Sequence, residues 1–251
     1  MNRASRVSSA IEARPGHGKG TTTDAVERQL IADITAGRLP PGSKLGFEML
    51  KTRYGVGVSA LREALQRLVS ENMVVLEGHV GFKVAPFRLE DLKDINNLRR
   101  QLAGDALKDA IAHATPDWEG KVLAAAHRLS RVPLSEDPDG TDVDTWEDCH
   151  REFHDALLST CTSRWLLHFC RLLDTQYLRY RRIVLARYWS TPAVRQVING
   201  EHQAIVDAAL AHDADTAVAL LRAHYDRSAQ GVIEEYERRV AENGEGAWWT
   251  T

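Results

Sequence analysis

Two histidines four residues apart, His150 and His154 in the run HREFH, are the residues of this 251-residue chain best suited to chemistry. On a helix that spacing sets their side chains roughly 40° apart around the axis, on one face, as two ligands of one metal require. Imidazole donors favour a divalent transition metal, zinc or nickel, over calcium and magnesium, which take oxygen. A pair is not a site. His202 (in GEHQ) and His224 (in RAHY), each in a later helical stretch, are candidates for the remaining positions. A metalloenzyme needs more, an open coordination position together with an acid or base. HREFH has no Glu directly after its first His, where HExxH metalloproteases carry their general base, and Glu152 projects roughly 200° away from His150. No Ser-His-Asp or Cys-His arrangement stands out, and Cys149 points off the ligand face. A metal-dependent enzyme stays open as the alternative to a metal-gated binding protein. His113, His127, His168 and His212 read as structural or surface residues.

The elements that must position these residues are helices. After Pro86 the apolar periodicity predicts six, over 89–114, 117–132, 145–160, 163–188, 192–211 and 213–242. In the first, Leu92, Ile95, Leu98, Leu102, Ala106, Leu107 and Ala110 face a core. An acidic, proline-containing loop is expected over 133–144. The product is an antiparallel bundle over 87–240, large enough to enclose a cavity, with 241–251 as a tail.

The first third is organised differently. Residues 55–71, GVGVSALREALQRLVSE, read as a glycine turn leading into an amphipathic helix, with Leu61, Ala64, Leu65, Leu68 and Val69 on the apolar stripe. Ser59 is its expected N-cap. Arg62, Gln66 and Arg67 lie off the stripe, long enough to reach a phosphate or a base edge. Residues 47–54 form a shorter helix before the turn, and 24–37 another, stopped by Pro40-Pro41-Gly42. Two β-like runs, 73–76 and 82–84, flank a glycine-containing hairpin turn. Helix, glycine turn, helix and wing predict a winged helix-turn-helix over 23–86, whose second helix enters the major groove. The fold class is therefore mainly α, a winged helix-turn-helix followed by an all-helical bundle. Residues 1–22, polar, Gly-rich and basic, read as a disordered tail.

Charge and composition agree with two modules. Residues 1–85 carry 12 Lys and Arg against 8 Asp and Glu, whereas the remainder carries 20 against 27. A basic first third beside an acidic remainder fits a DNA-binding module joined to one that stays off the phosphates. Three cysteines (Cys149, Cys161, Cys170) form no disulfide framework, and no stretch is apolar enough to span a bilayer. A cytoplasmic protein with reduced thiols is expected.

The run AGRLPPGSKL…RYGVGVSALREALQRLVSENMV…GHVGFKV resembles the DNA-binding domain of GntR-family transcription regulators. It departs from the family's arginine pattern, having Gly46, Glu48 and Val58 where an arginine is common. The bundle resembles the FCD ligand-sensing domain of the FadR subfamily. His154, His202 and His224 fall on the three histidine positions of that domain, and His150 stands where most members have Asp. Arg99 matches a helix arginine that looks into the ligand pocket, with Ala103 in place of the Glu that usually follows it. The runs DWEGKVLAAAHRLSR and WEDCHREFHDALL are similar to a dicarboxylate-responsive branch of the subfamily.

The resemblance implies a transcription repressor, a homodimer on a palindromic double-stranded operator, whose binding is modulated by a small carboxylate, a C4–C6 dicarboxylate among the choices, held at a metal site of His150, His154, His202 and His224 with Arg99 on the ligand. No membrane is involved. The expected DNA contacts are Ser59 and Arg62 with Lys44, Lys51, Arg53, Gln66 and the wing residues His79 and Gly81. Of these, Lys51 and Arg53 are expected on phosphates, which position the protein without specifying sequence. An effector-independent DNA-binding dimer, in which the bundle serves only to dimerise, is the remaining alternative.

Overall fold

The computed structural model describes residues 21–132, 141–185 and 192–244. Helix α1 (Thr22–Thr35) opens on a reciprocal cap: the Thr21 hydroxyl accepts from the Asp24 N–H at 3.2 Å, and Asp24 accepts from the Thr21 N–H at 2.8 Å. Such a pair satisfies two of the four amide donors left free at a helix start. Thr21 and Thr22 therefore belong to the first helix, and the rest of the expected N-terminal tail lies outside the described residues.

Helix α2 (Phe47–Tyr54) ends at Gly55, whose φ of 66° is the left-handed conformation that lets the chain turn sharply into α3 (Val58–Ser70). Strands β1 (Val74–Glu77) and β2 (Gly81–Val84) pair antiparallel, Val74 opposite Val84 and Glu77 opposite Gly81. Leu30, Ile34, Leu50, Leu61, Leu65, Leu68, Met73 and Val84 close one core beneath them.

The bundle contains α4 (Leu89–Ala112), α5 (Pro116–Arg131), α6 (Thr141–Leu158), α7 (Arg164–Leu185), α8 (Pro192–Leu210) and α9 (Ala214–Asn243). Thr115 caps α5 and Pro116 takes the first helical position, where its missing N–H costs nothing. A second core gathers Leu107, Trp118, Val122, Trp146, Phe153, Leu157, Ile205 and Leu221. Helices α4 and α9 approach closely at Gly104, where an added Cβ would stand 2.8 Å from Arg222 Nε. A third cluster anchors the connection between the domains to the bundle. Phe87, in the connection between them, stacks on Tyr236 of α9 at 4.6 Å and meets Tyr180 of α7 edge-on at 4.8 Å.

Four expectations are corrected. Ser59 is not the cap of α3: Gly57 is, without a side-chain bond, because the chain turns helical two residues earlier than a serine cap requires and Leu61 N already bonds Gly57 O at 3.2 Å. Leu98 is exposed. The inward stripe of α4 runs through Leu92, Asn96, Arg99, Ala103, Ala106 and Ala110 instead, so it carries an arginine into the interior. The acidic loop stops short of Asp144, since α6 already begins at Thr141; residues 133–140 lie outside the described residues. At the other end α9 runs to Asn243, into the expected tail, of which 245–251 lie outside the described residues.

Candidate functional site

Four buried histidines meet in the middle of the bundle. α6 supplies His150 and His154 from successive turns, α8 supplies His202 and α9 His224, and one nitrogen of each lies within 4.8 Å of the others. Phe153, fully buried between the two α6 histidines in sequence, packs against His154 and His202 and holds that helix face inward. His150 and His154 approach to 3.1 Å, Nε2 to Nε2. His224 Nδ1 lies 2.7 Å from Glu201 Oε2, and Glu201 also accepts from Arg227. Since a carboxylate only accepts, Nδ1 carries the proton and Nε2 is left with its lone pair toward the cluster. His202 is the telling member, because both of its ring nitrogens are buried without a hydrogen-bond partner among the described residues. An unsatisfied buried polar group costs about 1–3 kcal/mol, and a cation held by the ring's one lone pair would remove that cost at one of the two nitrogens.

Electrostatics make these rings neutral. Burial first, then neighbouring imidazoles and arginines, holds His150, His154 and His202 well below the ordinary histidine value and His224 down to about 3. Neutral imidazole is the form that binds a metal. An all-nitrogen donor set fits zinc or nickel far better than a hard, oxygen-seeking ion.

Beside the cluster lies a cavity of about 580 Å³, a volume typical of small-molecule sites, and His150 and His154 line it. Arg99 lines it too. Its guanidinium is clamped between the rings of Tyr177 at 3.9 Å and Tyr225 at 4.3 Å, and bonds Asp174 at 2.7 Å. One terminal nitrogen, Nη1, is buried and has no partner among the described residues. Arg181, also on the wall, is paired with Glu147 and lies 3.4 Å from His150 Nδ1. Neutral nitrogen donors next to guanidinium groups make a chamber suited to a small carboxylate, which a metal and an arginine can share. Arg179 and Arg181, which a sequence reading can take for a surface charge run, are buried, and the side chain of Arg182 lies outside the described residues. His113, His127, His168 and His212 are exposed.

On the winged helix-turn-helix, α3 exposes Ser59, Arg62 and Gln66 in its first turns. The Arg62 guanidinium rests over the Phe47 ring at 5.0 Å and has no ion-pair partner among the described residues. Lys44 is exposed and bridges the backbone of Lys83, which sets it beside the wing. His79 stands exposed at the wing tip, and Gly81 closes that tip with a φ of 93°. Lys51 contacts Glu48 at 3.2 Å, and Arg53 bonds Asp33 at 2.6 Å, so both are partly engaged within the domain. Arg67 is fully engaged, tying α3 to α1 through Asp24 and Glu27 and to Glu63 on its own helix.

Sequence reasoning missed the groups that tune the site: Glu201 behind His224, Asp174 on Arg99, Glu147 on Arg181, and Tyr225. The only signals were adjacency, Glu201 directly preceding His202 and Tyr225 directly following His224.

A winged helix-turn-helix fused to a helical bundle with a histidine-lined chamber defines a DNA-binding regulator. Residues 22–84 match the bacterial regulatory proteins of the gntR family and residues 94–227 match the FCD domain, so the chain belongs to the gntR family of transcription regulators with a C-terminal FCD domain. It is 38% identical over 206 residues to the HTH-type transcriptional regulator BphR of Paraburkholderia xenovorans (strain LB400), covering 82% of each chain. It is 35% identical over 197 residues to the HTH-type transcriptional repressor GlaR of Escherichia coli (strain K12), covering 78% of this chain and 89% of that one. The solved structure of E. coli McbR/YncC shares the fold at a TM-score of 0.71 and 21% identity, over 87% of this chain and all of the other. These relatives are regulators, not enzymes, and the metalloenzyme alternative falls away. No helix among the described residues is long and apolar enough to cross a membrane.

Proposed function

We propose that this regulator is a cytoplasmic repressor that binds a palindromic operator as a homodimer and is gated by a small carboxylate held at a zinc or nickel ion. His150, His154, His202 and His224 hold the ion, and Arg99 takes the carboxylate. The observation that carries this reading is that, among the described residues, the His202 ring nitrogens and Arg99 Nη1 are buried without partners, the first within the four-histidine cluster and the second on the wall of the cavity that His150 and His154 also line. A repressor role accords with the printed name of the E. coli relative. A two-fold axis is what presents two recognition helices to two half-sites. Ser59, Arg62 and Gln66 are the base-reading candidates on α3, with Lys44, Lys51, Arg53, His79 and Gly81 around them.

Helix α7 offers the route between the sites. On one side it carries Asp174, Tyr177 and Arg181 against the cavity. On the other, Gln176 donates to the carbonyl of Glu71, the cap of α3, and Arg179 donates to the carbonyl of Ala85 at 3.2 Å, just past β2. A ligand that moves α7 therefore biases the separation of the two recognition helices in the dimer, a shift between binding-competent and incompetent populations.

The test is elemental analysis of protein purified without chelator or nickel resin, followed by operator binding at fixed salt. The expected result is about one transition metal per chain, lost in His154→Ala, and an operator affinity that changes when a carboxylate binds. Metal content equal to wild type in His154→Ala refutes the ligand set. An operator affinity indifferent to every metal-binding carboxylate refutes the gating.

A further inference from the structure

Asp33 is a buried carboxylate in the DNA-binding domain, and three donors converge on it. It lies beside Ile34 and one turn after Leu30, both fully buried, so it sits at the edge of the α1 stripe, and its side chain is only 11% exposed. Beyond α1 the chain folds back through a bond from the Leu39 N–H to Asp33 O at 3.1 Å, which returns Arg38 to the same carboxylate, Nε to Oδ1 at 2.6 Å. Oδ2 accepts from Arg53 Nε at 2.6 Å and from the Tyr54 hydroxyl at 2.7 Å, both at the end of α2. Burial alone would raise this carboxyl, but the bonds from Arg53, Tyr54 and Arg38 outweigh it and hold the group below the ordinary carboxylate value. Arg53 meets Asp33 through Nε, so its terminal nitrogens, the fork that fits a phosphate, are not the ones Asp33 engages, and its side chain stays 37% exposed. Lys51 on the same helix is a contrast: its partner Glu48 is 88% exposed, and such a pair fixes little. In a helix-turn-helix the first helix crosses the DNA backbone.

We infer that Asp33 is a positioning residue for DNA binding, which fixes Arg53 so that its terminal nitrogens meet a backbone phosphate. This rests on the phosphate contact expected of Arg53 and adds the group that makes it effective. Arg38 completes the anchor by holding Oδ1. It also lines the cavity with Ile31, Ala32 and Thr35 of α1, so one carboxylate ties a residue of the chamber wall to a residue of α2. An arginine fixed before the encounter loses less freedom on binding than one that swings. The sign of the effect separates anchoring from plain charge. Removing a negative charge from a DNA-binding domain strengthens its hold on DNA by charge alone, whereas loss of the anchor weakens it.

The experiment is titration of a random-sequence duplex with the full chain from about 50 to 200 mM salt, since phosphate contacts do not depend on sequence. Arg53→Ala should weaken binding about five- to tenfold near 0.1 M salt and lower the slope of log affinity against log salt by about 1. Asp33→Asn, which keeps the shape and removes the charge, should cause the same two losses, and adding Arg53→Ala to it should cost less than about twofold more. Arg38→Gln leaves Asp33 in place and serves as the second probe where Asp33→Asn melts too low to assay; its loss, too, should not add to that of Arg53→Ala. Losses that add in the assayed background, or tighter binding in Asp33→Asn, overturn the inference and leave the Arg53 contact standing. No effect of Arg53→Ala in the otherwise unaltered chain removes the phosphate contact itself, and the inference with it.

Discussion

His224 and Glu201 face each other across α8 and α9, Nδ1 to Oε2 at 2.7 Å, and that contact decides which ring nitrogen of His224 is free. A carboxylate behind a ligating imidazole orients the ring and raises its basicity, and losing such a partner typically weakens metal binding about 10–100-fold. Glu201→Ala should therefore retain all four histidines yet bind zinc weaker by that factor, measured by competition with a chromophoric chelator. Wild-type affinity in the variant would mean that the contact does not tune the centre.

Acid should destabilise the metal-free protein. The four imidazoles are buried, and their folded values lie below the ordinary 6.5, that of His224 at about 3. The unfolded chain takes up protons near pH 6.5 that the folded chain refuses, so their contribution is complete above that pH and is lost as pH falls. Each such group adds a slope of up to about 1.4 kcal/mol per pH unit below it. Thermal melts should show Tm falling steeply from pH 7 to pH 5, and a flat Tm across that range would contradict neutral burial. Added zinc should raise Tm at pH 7 and do so less at pH 5, where protons compete for the same nitrogens.

Two arginine and lysine substitutions separate reading from positioning. Arg62→Ala should cost about 1–3 kcal/mol of operator binding and erase the preference for operator over random duplex, with metal content unchanged. Lys51→Ala should weaken both DNAs alike and lower the slope of log affinity against log salt by about 1. Retained preference in Arg62→Ala, seen in paired gel-shift titrations, would move the base-reading role elsewhere on α3.

Gln176→Ala cuts one of the two hydrogen bonds by which α7, among the described residues, holds the DNA-binding domain. The expected phenotype is uncoupling. Ligand affinity and metal content stay near wild type, whereas the ligand-induced change in operator affinity shrinks several-fold. Unaltered coupling in this variant would assign transmission to the Phe87 stack and the α1 wall.

Local signals carried most of the fold. The bounds of α2 followed from one short apolar pattern and the glycine after it, and the HxxxH pair followed from helical spacing alone. Ser59 misled because a serine before an apolar run and a serine in the second position of the helix look alike in sequence; only the backbone at Gly57 distinguishes them. Arg99 was legible as a site residue through resemblance, not through the stripe. Counting Leu98 as inward rotates α4 by one residue and turns Arg99 partly away. What no pattern could show was contact between distant segments. Glu201 meets His224 across 23 residues and Gln176 meets Glu71 across 105. Arg38 borders the cavity only because one domain docks on the other.

Among the described residues, both hydrogen bonds from α7 to the DNA-binding domain end on main-chain oxygens, those of Glu71 and Ala85. A main-chain oxygen is present whatever the side chain, so the residues that read operators are free to diverge while the joint stays intact. On the proposed gating, new sequence preference can then arise on α3 without loss of ligand control. By the same logic, a graft of a foreign winged helix-turn-helix that keeps this backbone path inherits the switch, whereas one that shifts the path by a residue does not.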